Sequence, residues 1–291
     1  EEVSVPTPGG FTLAGTLTLP REARGPVPAV VLISGSGQQD RDSRIPGIEG
    51  YRAFRQIADT LGRRGIAVLR LDDRGSGRSG GKAEGSTSAD FADDARAAVA
   101  YLRGRGEIAP DRIALAGHSE GGIIAPMVAA SDPRIRAVVL MAAQSWTGRR
   151  VSDYQLRQAW RAAGVPEARM DSLARVNDRA RDSVAAQIPW VRFFLDHDPL
   201  PTARRVNAPV LILQGATDRQ VTAEQAPELA AAIRAGGNRD VTVRLLPGVN
   251  HLFLRDPVGT ADPARYAALP SKEVVPEALG ALADWLAAKL R

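Results

Sequence analysis

The chain has 291 residues, of which 44% are hydrophobic and 24% are charged, and these are the proportions of an ordinary globular protein. It contains no cysteine and only three histidines, which excludes disulfide frameworks, thiolate metal sites and cysteine nucleophiles and argues against a histidine-rich metal cage. The net charge of +5 comes from arginines scattered among acids without a basic block or a nucleic-acid-binding motif, so nucleic acid is not an expected partner.

Short apolar segments alternate with helical patterns along most of the chain. Residues 11–19 alternate between polar and apolar, as a half-buried strand does. Continuous apolar runs, typical of strands buried on both faces of a parallel sheet, follow at 29–33, 67–71, 113–116, 137–141 and 210–213, and one more strand is predicted at 241–246. Helices are predicted at 51–64, 88–103, 121–130, 222–235 and 274–290, with Thr222 and Gln225 as a capping box. Strands separated by helices predict βαβ units and a doubly wound α/β sheet.

Residues 146–205 interrupt this alternation, because they have helical periodicity but no buried-strand run. We therefore predict an α/β domain formed by residues 1–145 and 206–291, with residues 146–205 inserted as a helical cap. The aromatic side chains of the insertion either form its own small core or roof a pocket for an apolar group, and both can hold together. The candidate pocket residues are Trp146, Tyr154, Trp160, Trp190 and Phe194.

The segment 117–121 reads Gly-His-Ser-Glu-Gly, which is a G-x-S-x-G motif between a predicted strand and a predicted helix. This placement predicts a sharp bend that is tolerable only where the flanking positions lack side chains. The bend would expose the hydroxyl of Ser119 at the carboxyl end of the strand, beside a helix N-terminus that favours negative charge. The alternative is an ordinary glycine-rich turn with an N-cap serine.

A serine hydroxyl is a poor nucleophile unless an imidazole takes its proton and a carboxylate orients that imidazole. Asp218 follows the predicted strand 210–213, and His251 follows the strand 241–246, so both should lie at the same rim as Ser119. His118 directly precedes the serine and is expected to turn away from its hydroxyl, whereas His197 lies in the insertion at a predicted helix end. The chain order Ser, Asp, His is that of hydrolases with a nucleophile elbow.

Acyl transfer also needs backbone N–H donors for the oxyanion. We expect one donor to be the N–H of Glu120, directly after the serine. The other is expected to be the N–H of Ser36 in the glycine-containing loop 34–42, which follows the first buried strand. Gln38 of the same loop is a further candidate pocket residue. The alternative is that this loop is only a tight turn.

Residues 75–80 match G-x-G-x-x-G and follow a strand, as a dinucleotide fingerprint does. The fingerprint must open a helix, but the chain continues as a loop to Gly85, and no acidic strand end follows about 20 residues later. We interpret residues 72–79 as a structural loop under the rim of the site. No cofactor and no metal are expected.

Taken together, the segments 33–42, 72–79, 117–122 and 250–253 resemble those of the α/β-hydrolase superfamily, and the resemblance extends over nearly the whole chain. It is most specific to bacterial carboxylesterases of the feruloyl/cinnamoyl-esterase-like, dienelactone-hydrolase-related branch. The resemblance implies a mostly parallel eight-stranded sheet flanked by helices, with a helical cap after the sixth strand. Two positions depart from the branch: Ser34-Gly35 replaces the usual His-Gly, and Glu120 follows the nucleophile, where its carboxyl group would disfavour anionic acyl groups if it faced the pocket.

The sequence therefore predicts a serine hydrolase that cleaves small-molecule carboxylic esters through Ser119, His251 and Asp218 and an acyl-enzyme intermediate. A thioesterase or an acyl-amide or peptide hydrolase with the same triad remains an alternative, as does a non-catalytic ligand-binding homologue. The aromatic content of the insertion favours bulky or aromatic esters.

The sequence also gives expectations about location. No apolar run is long enough to span a membrane. The first residue is not Met, and many members of the branch carry export signals, so an exported mature protein is expected rather than a cytoplasmic one. The oligomeric state is not predicted.

Overall fold

The short apolar segments of the sequence form the strands of one sheet. The computed structural model describes residues 1–260 and 262–291. Its strands are β1 Glu2–Pro6, β2 Thr12–Thr18, β3 Val27–Ile33, β4 Ala67–Leu71, β5 Ile108–His118, β6 Ala137–Met141, β7 Val210–Gly215 and β8 Val241–Leu246. They lie in the order β1-β2-β4-β3-β5-β6-β7-β8. Strand β2 is antiparallel to both of its neighbours, and the remaining neighbouring pairs are parallel.

Helices cover both faces of this sheet. They are α1 Ala53–Gly62, α2 Ser88–Arg103, α3 Gly121–Ala129, α4 Gly148–Ala162, α5 Glu167–Gln187, α6 Pro189–Asp196, α7 Pro199–Ala203, α8 Gln225–Ala235, α9 Pro263–Ala268 and α10 Pro276–Lys289. Successive residues of a strand point to opposite faces, so Val31 belongs to the apolar layer that includes residues of α2, α3 and α8, whereas Val30 belongs to the layer that includes residues of α1 and α10. Burial on both faces is the reason why the central strands are continuous apolar runs.

The carboxyl ends of β5 to β8 finish nearly level. His118 pairs with Met141, Met141 with Leu213, and Gly215 with Leu246. The loops that follow these strands therefore meet at one edge of the sheet, which is where ligands bind in parallel α/β sheets. Strand β6 separates β5 from β7, so the strand that precedes Ser119 and the strand that precedes Asp218 are not direct neighbours.

The chain between β6 and β7 contains the helices α4 to α7 and no strand, and all residues of this stretch are described. Helix α6 packs against α4, α5 and α2, and helix α7 packs against α3 and α8. The mostly parallel eight-stranded sheet with a helical insertion after the sixth strand is therefore confirmed. The described part of the chain contains no helix that is long and apolar enough to cross a membrane.

Candidate active site

Ser119 lies at a sharp turn between β5 and α3. Its φ of 54° is in the left-handed region, which a non-glycine residue adopts only at a cost of about 1 kcal/mol or more. The glycines around it allow close contacts, because a Cβ on Gly117 would lie 2.0 Å from the carbonyl oxygen of Gly121, and one on Gly121 would lie 2.3 Å from that of Ile33. The strained serine is thus held between a strand and a helix that approach each other more closely than side chains permit.

We expect Gly117→Ala to lower the free energy of unfolding by about 3 kcal/mol, because a methyl group would overlap backbone atoms that cannot move aside. Gly280→Ala is the matched control, since it adds the same methyl group in α10 at a position with no atom within 4 Å. The control should stabilise the protein by about 0.5–1 kcal/mol through helix propensity. Urea unfolding followed by circular dichroism measures both values, and equal effects of the two substitutions would contradict this account of the turn.

His251 and Asp218 form a buried pair in the loops after β8 and β7. The Nδ1 atom of His251 lies 2.8 Å from Oδ2 of Asp218, and the two residues are 4% and 3% exposed. The same Oδ2 accepts a hydrogen bond from Nε2 of Gln214, and Oδ1 accepts the backbone N–H groups of Gln220 and Val221. These donors fix the orientation of the carboxylate. The imidazole is therefore held as the tautomer that carries its proton on Nδ1 and leaves Nε2 free to accept one.

A tight turn fixes the main chain around His251. The side-chain oxygen of Asn250 accepts the N–H groups of Leu252 and Leu254 at 3.0 and 3.1 Å. Phe253 adopts a left-handed φ of 58° within this turn. The base is thus positioned through its backbone as well as through Asp218.

Ser119 and His251 line the same cleft, but no hydrogen bond joins the serine hydroxyl to the imidazole in this structure. In the absence of substrate such bonds are commonly long or misaligned, and they tighten when the substrate binds. Of the three predicted triad residues, Ser119 and His251 line the cleft, whereas Asp218 is buried and contacts His251.

The backbone N–H groups of Ser36 and Glu120, the two expected oxyanion donors, are among those in this region that have no acceptor in the described part of the protein. Ser36 lies in the loop after β3, and the loop touches the nucleophile, because a Cβ on Gly35 would lie 3.2 Å from Cβ of Ser119. The carbonyl oxygen of Ser36 accepts a hydrogen bond from Nε2 of Gln39 at 3.2 Å. Unpaired donors beside a nucleophile are suited to bind a developing oxyanion.

The carboxyl group of Glu120 does not line the cleft. It is buried, and its Oε1 accepts a hydrogen bond from Oγ of Ser88 at 2.6 Å and another from Nε1 of Trp190 at 2.9 Å. The carboxylate thus connects the nucleophile turn to the start of α2 and to helix α6 of the insertion. Repulsion of anionic acyl groups by a carboxylate facing the pocket, which the sequence left open, is not supported by this orientation.

The cleft over Ser119 has a volume of about 550 Å³. Gln38 lines it, as do Trp190 and Phe194, whose rings stack with centroids 5.2 Å apart. The loop after Arg44 and the helix α4 supply other apolar walls. The further lining residues that the sequence did not name are Arg44, Ile45, Pro46, Ile48, Gln144, Val151, Gln155, Gln220, Val221, Leu252 and Tyr266.

Trp146, Tyr154 and Trp160 are not among the described residues that line this cleft. The indole N–H of Trp146 donates to Glu228 of α8 at 2.7 Å, and its ring meets that of Tyr154 edge to face at 5.9 Å. The indole of Trp146 thus connects the start of the insertion to α8. Trp160 lies half-buried near the end of α4. Their prediction as pocket residues is therefore corrected, because the face that each aromatic presents depends on how the helices dock.

His118 contacts the backbone of His251 and is not part of the predicted triad. It is buried, and its Nε2 lies 2.9 Å from the carbonyl oxygen of His251, to which a neutral imidazole donates. Burial, together with the neighbouring His251, lowers the pKa of His118 to about 4. A neutral His118 therefore fixes the backbone of His251, and it does not bond to the hydroxyl of Ser119.

The buried His118 should make stability depend on pH. Because its pKa falls from about 6.5 in the unfolded chain to about 4 in the folded protein, the unfolded state takes up a proton first as the pH falls. The stability present above pH 6.5 is then lost progressively towards pH 4, by about 3 kcal/mol in total. His118→Asn cannot titrate, so we expect a flatter dependence in urea unfolding at pH 7 and pH 4. The same loss in both proteins would contradict the assignment.

Gln214 is a site residue that the sequence analysis did not identify. Its Nε2 donates to Asp218 and to the carbonyl oxygen of Val221, at 3.0 and 2.8 Å. Its Oε1 is buried and has no hydrogen-bond partner among the described residues. The available signal was a polar residue at the end of an otherwise apolar strand, four positions before the acid. In the described part of the chain, no group of three or more acidic or histidine side chains could hold a metal ion.

The sheet, the strained serine turn and the order of the three polar groups define the α/β-hydrolase class. The model of the family described as serine aminopeptidase, S33, matches residues 47–258, and the chain belongs to this family. It is 29% identical over 261 residues to the esterase EstD of Thermotoga maritima, an alignment that covers 87% of this chain and 61% of that protein. The chain thus spans less than two thirds of this relative.

Two solved structures share the fold. The Pyrococcus furiosus esterase Pf2001 superposes with a TM-score of 0.66 at 18% identity, over 100% of this chain and 91% of that one. Est1E from Butyrivibrio proteoclasticus with bound ferulic acid gives a TM-score of 0.64 at 18% identity, over 99% of both chains.

Proposed function

We propose that the protein is a carboxylic ester hydrolase in which Ser119 is the nucleophile, His251 the general base and Asp218 the orienting acid. The observation that supports this most is the position of Ser119. It is held in a strained turn at a cleft that also presents His251, whose Nδ1 is 2.8 Å from the buried Asp218. A protein that only bound a ligand would have no use for a strained serine beside an oriented imidazole.

The proposed reaction has two acyl-transfer steps. Ser119 Oγ attacks the ester carbonyl carbon as its proton passes to Nε2 of His251, and the N–H groups of Ser36 and Glu120 bind the oxyanion. Collapse of the tetrahedral intermediate breaks the bond to the alcohol, which leaves with the proton from His251. Water then attacks the acyl-enzyme by the same route. The carboxylate of Asp218 offsets the charge of the imidazolium.

The charges of the cleft favour an ester over a peptide with a free N-terminus. An aminopeptidase must bind the α-ammonium group of its substrate, which requires an anion or several acceptors close to the scissile bond. None of the described residues that line the cleft is an aspartate or a glutamate, and its cationic side chain is Arg44. EstD and Pf2001 are both named esterases, which also supports an ester substrate.

We further propose that residues 146–205 act as a cap that forms one wall of the acyl pocket. Val151 and Gln155 of α4 line the cleft together with the stacked Trp190 and Phe194 of α6. A flat aromatic wall offers a large apolar surface to a bulky or aromatic acyl group. Acyl groups of this kind are therefore the expected substrates.

The purified protein should be tested on a matched series with one acyl group: a p-nitrophenyl ester, the corresponding thioester and the corresponding p-nitroanilide. We expect kcat/KM to be highest for the ester and to rise from acetyl to aromatic acyl groups. Alanyl p-nitroanilide reports the aminopeptidase alternative. Faster turnover of that substrate than of any ester would refute the proposal, and faster turnover of the thioester would favour a thioesterase.

A further inference from the structure

The loop that carries Ser36 is connected to the segment after β4 through the carboxylate of Asp73. Oδ1 of Asp73 accepts a hydrogen bond from Oγ of Ser34 at 2.6 Å, and Oδ2 accepts the N–H of Gln39 at 2.8 Å. The backbone N–H of Asp73 donates in turn to the carbonyl oxygen of Gln39 at 3.1 Å. One side chain therefore closes both ends of the segment 34–39, and the N–H of Ser36 lies in the middle of it.

On one side, the segment 34–39 borders a cavity and is not packed against other side chains there. A cavity of about 60 Å³, lined by Gly35, Gly37 and Asp73 among others, lies below the loop. A glycine backbone over a cavity has few van der Waals contacts to define its position. The hydrogen bonds to Asp73 at the two ends of the segment, together with the bond from Nε2 of Gln39 to the carbonyl oxygen of Ser36, are therefore the main local restraints on where the N–H of Ser36 points.

Asp73 differs from its neighbour Asp72, which forms an ion pair with Arg41 at 2.8 Å. No cation forms an ion pair with Asp73 among the described residues, and the carboxylates of Glu120 and Asp94 are near enough to repel it. Burial, supported by these two acids, raises the pKa of Asp73 to about 7, although the Ser34 hydroxyl and the Gln39 N–H favour the anion. A partly buried acid without a counter-ion costs stability, so its position calls for a role other than stabilising the fold.

We propose that Asp73 is a positioning residue for the oxyanion site, because it holds the loop 34–39 at both ends and thereby aims the N–H of Ser36 at the reacting carbonyl oxygen. This inference rests on the proposed function. It also gives a role to Ser34, which stands where related esterases have histidine: its hydroxyl is the donor that connects the start of the loop to Asp73.

Asp73→Ala removes both acceptors, and we expect kcat for p-nitrophenyl esters to fall by about 10²-fold, as when one oxyanion donor is lost. KM should change by less than about threefold, since the oxyanion forms only in the transition state. Asp73→Asn should recover most of the activity, because its amide oxygen can accept the Gln39 N–H while Ser34 accepts from its NH₂ group. Ser34→Ala removes one of the two bonds and should lower kcat by about tenfold.

Asp94→Asn is the matched control. Asp94 lines the same cavity, but its carboxylate binds Arg74, at 2.7 and 2.9 Å, and not the loop. The control should lower the thermal midpoint while kcat stays unchanged. An unchanged kcat in Asp73→Ala and Ser34→Ala, with an active wild type, would overturn this inference alone. If Asp73→Ala does not fold, Ser34→Ala decides, and a wild type that cleaves no ester would overturn the proposed function together with the inference.

Discussion

Replacing Ser119 by alanine is expected to lower kcat for p-nitrophenyl esters by about 10⁶-fold while the protein stays folded. The substitution removes the oxygen that is proposed to form the acyl-enzyme, so the residual rate would come from the oxyanion donors and substrate binding. Stability should not fall, because the serine hydroxyl makes no hydrogen bond to any described residue and alanine is no more strained at a φ of 54° than serine.

The control for this prediction is Ser36→Ala in the same cleft. Its backbone N–H is the proposed oxyanion donor and is retained by alanine, so kcat should change by less than about threefold. The activity of both variants should be measured beside wild-type protein at the same concentration. An unfolding curve of each variant shows whether it is folded. A Ser119→Ala protein that keeps more than about one hundredth of the wild-type kcat would show that another group is the nucleophile.

Asp218→Asn is expected to lower kcat by about 10⁴-fold with a small change in KM. The two backbone N–H groups of Gln220 and Val221 bind Oδ1 and require an oxygen there, so the new NH₂ group must take the place of Oδ2. That group would donate to Nδ1 of His251 and force its proton onto Nε2. An imidazole with a proton on Nε2 cannot accept the proton of Ser119.

Asp256→Asn is the matched control for this substitution. Asp256 is also buried in the loop region after β8, but its carboxylate accepts from Gly259 and Asn250 and not from His251. Both variants should be compared with wild type by steady-state kinetics at the same pH, and we expect the control to keep kcat within about threefold of wild type. Equal losses in both variants would indicate that general destabilisation, and not the tautomer of His251, explains the effect.

The sheet could be predicted from the sequence because burial on both faces leaves an unmistakable pattern. The predicted bounds of α2 and β8 agree with the structure to the residue. Strand β1 was not predicted, because a five-residue segment with only Val3 and Val5 buried gives too short an alternation. The position of Ser119 was predictable because its motif needs both a preceding strand and a following helix.

The predicted capping box at Thr222 and Gln225 is wrong. Helix α8 begins at Gln225 itself, and the side-chain oxygen of Gln225 accepts the backbone N–H groups of Ser145 and Trp146, at 3.1 and 3.3 Å. A contact with residues about 80 positions earlier in the chain thus takes the side chain that a local rule assigned to the helix end. A local pattern cannot anticipate a partner brought in by the fold.

Contacts between distant parts of the chain also explain why the sequence did not predict which side chains face the cleft. Helical periodicity predicted the insertion, but it did not show that Trp190 faces Ser119 whereas Trp146 faces α8. Asp73 and Ser34 are 39 positions apart, and only the parallel pairing of β3 with β4 brings them together. The orientation of side chains across such distances is a property of packing.

The most direct test of the proposed triad is covalent labelling of the native protein with a fluorophosphonate, followed by tryptic digestion and fragmentation of the modified peptide. The peptide 113–134 contains both Ser119 and Ser131, so fragmentation must assign the modified side chain. We predict a single adduct on the oxygen of Ser119, and strongly slowed labelling when His251 is replaced by alanine. Modification of another serine, or no modification of folded and homogeneous protein, would contradict the assignment.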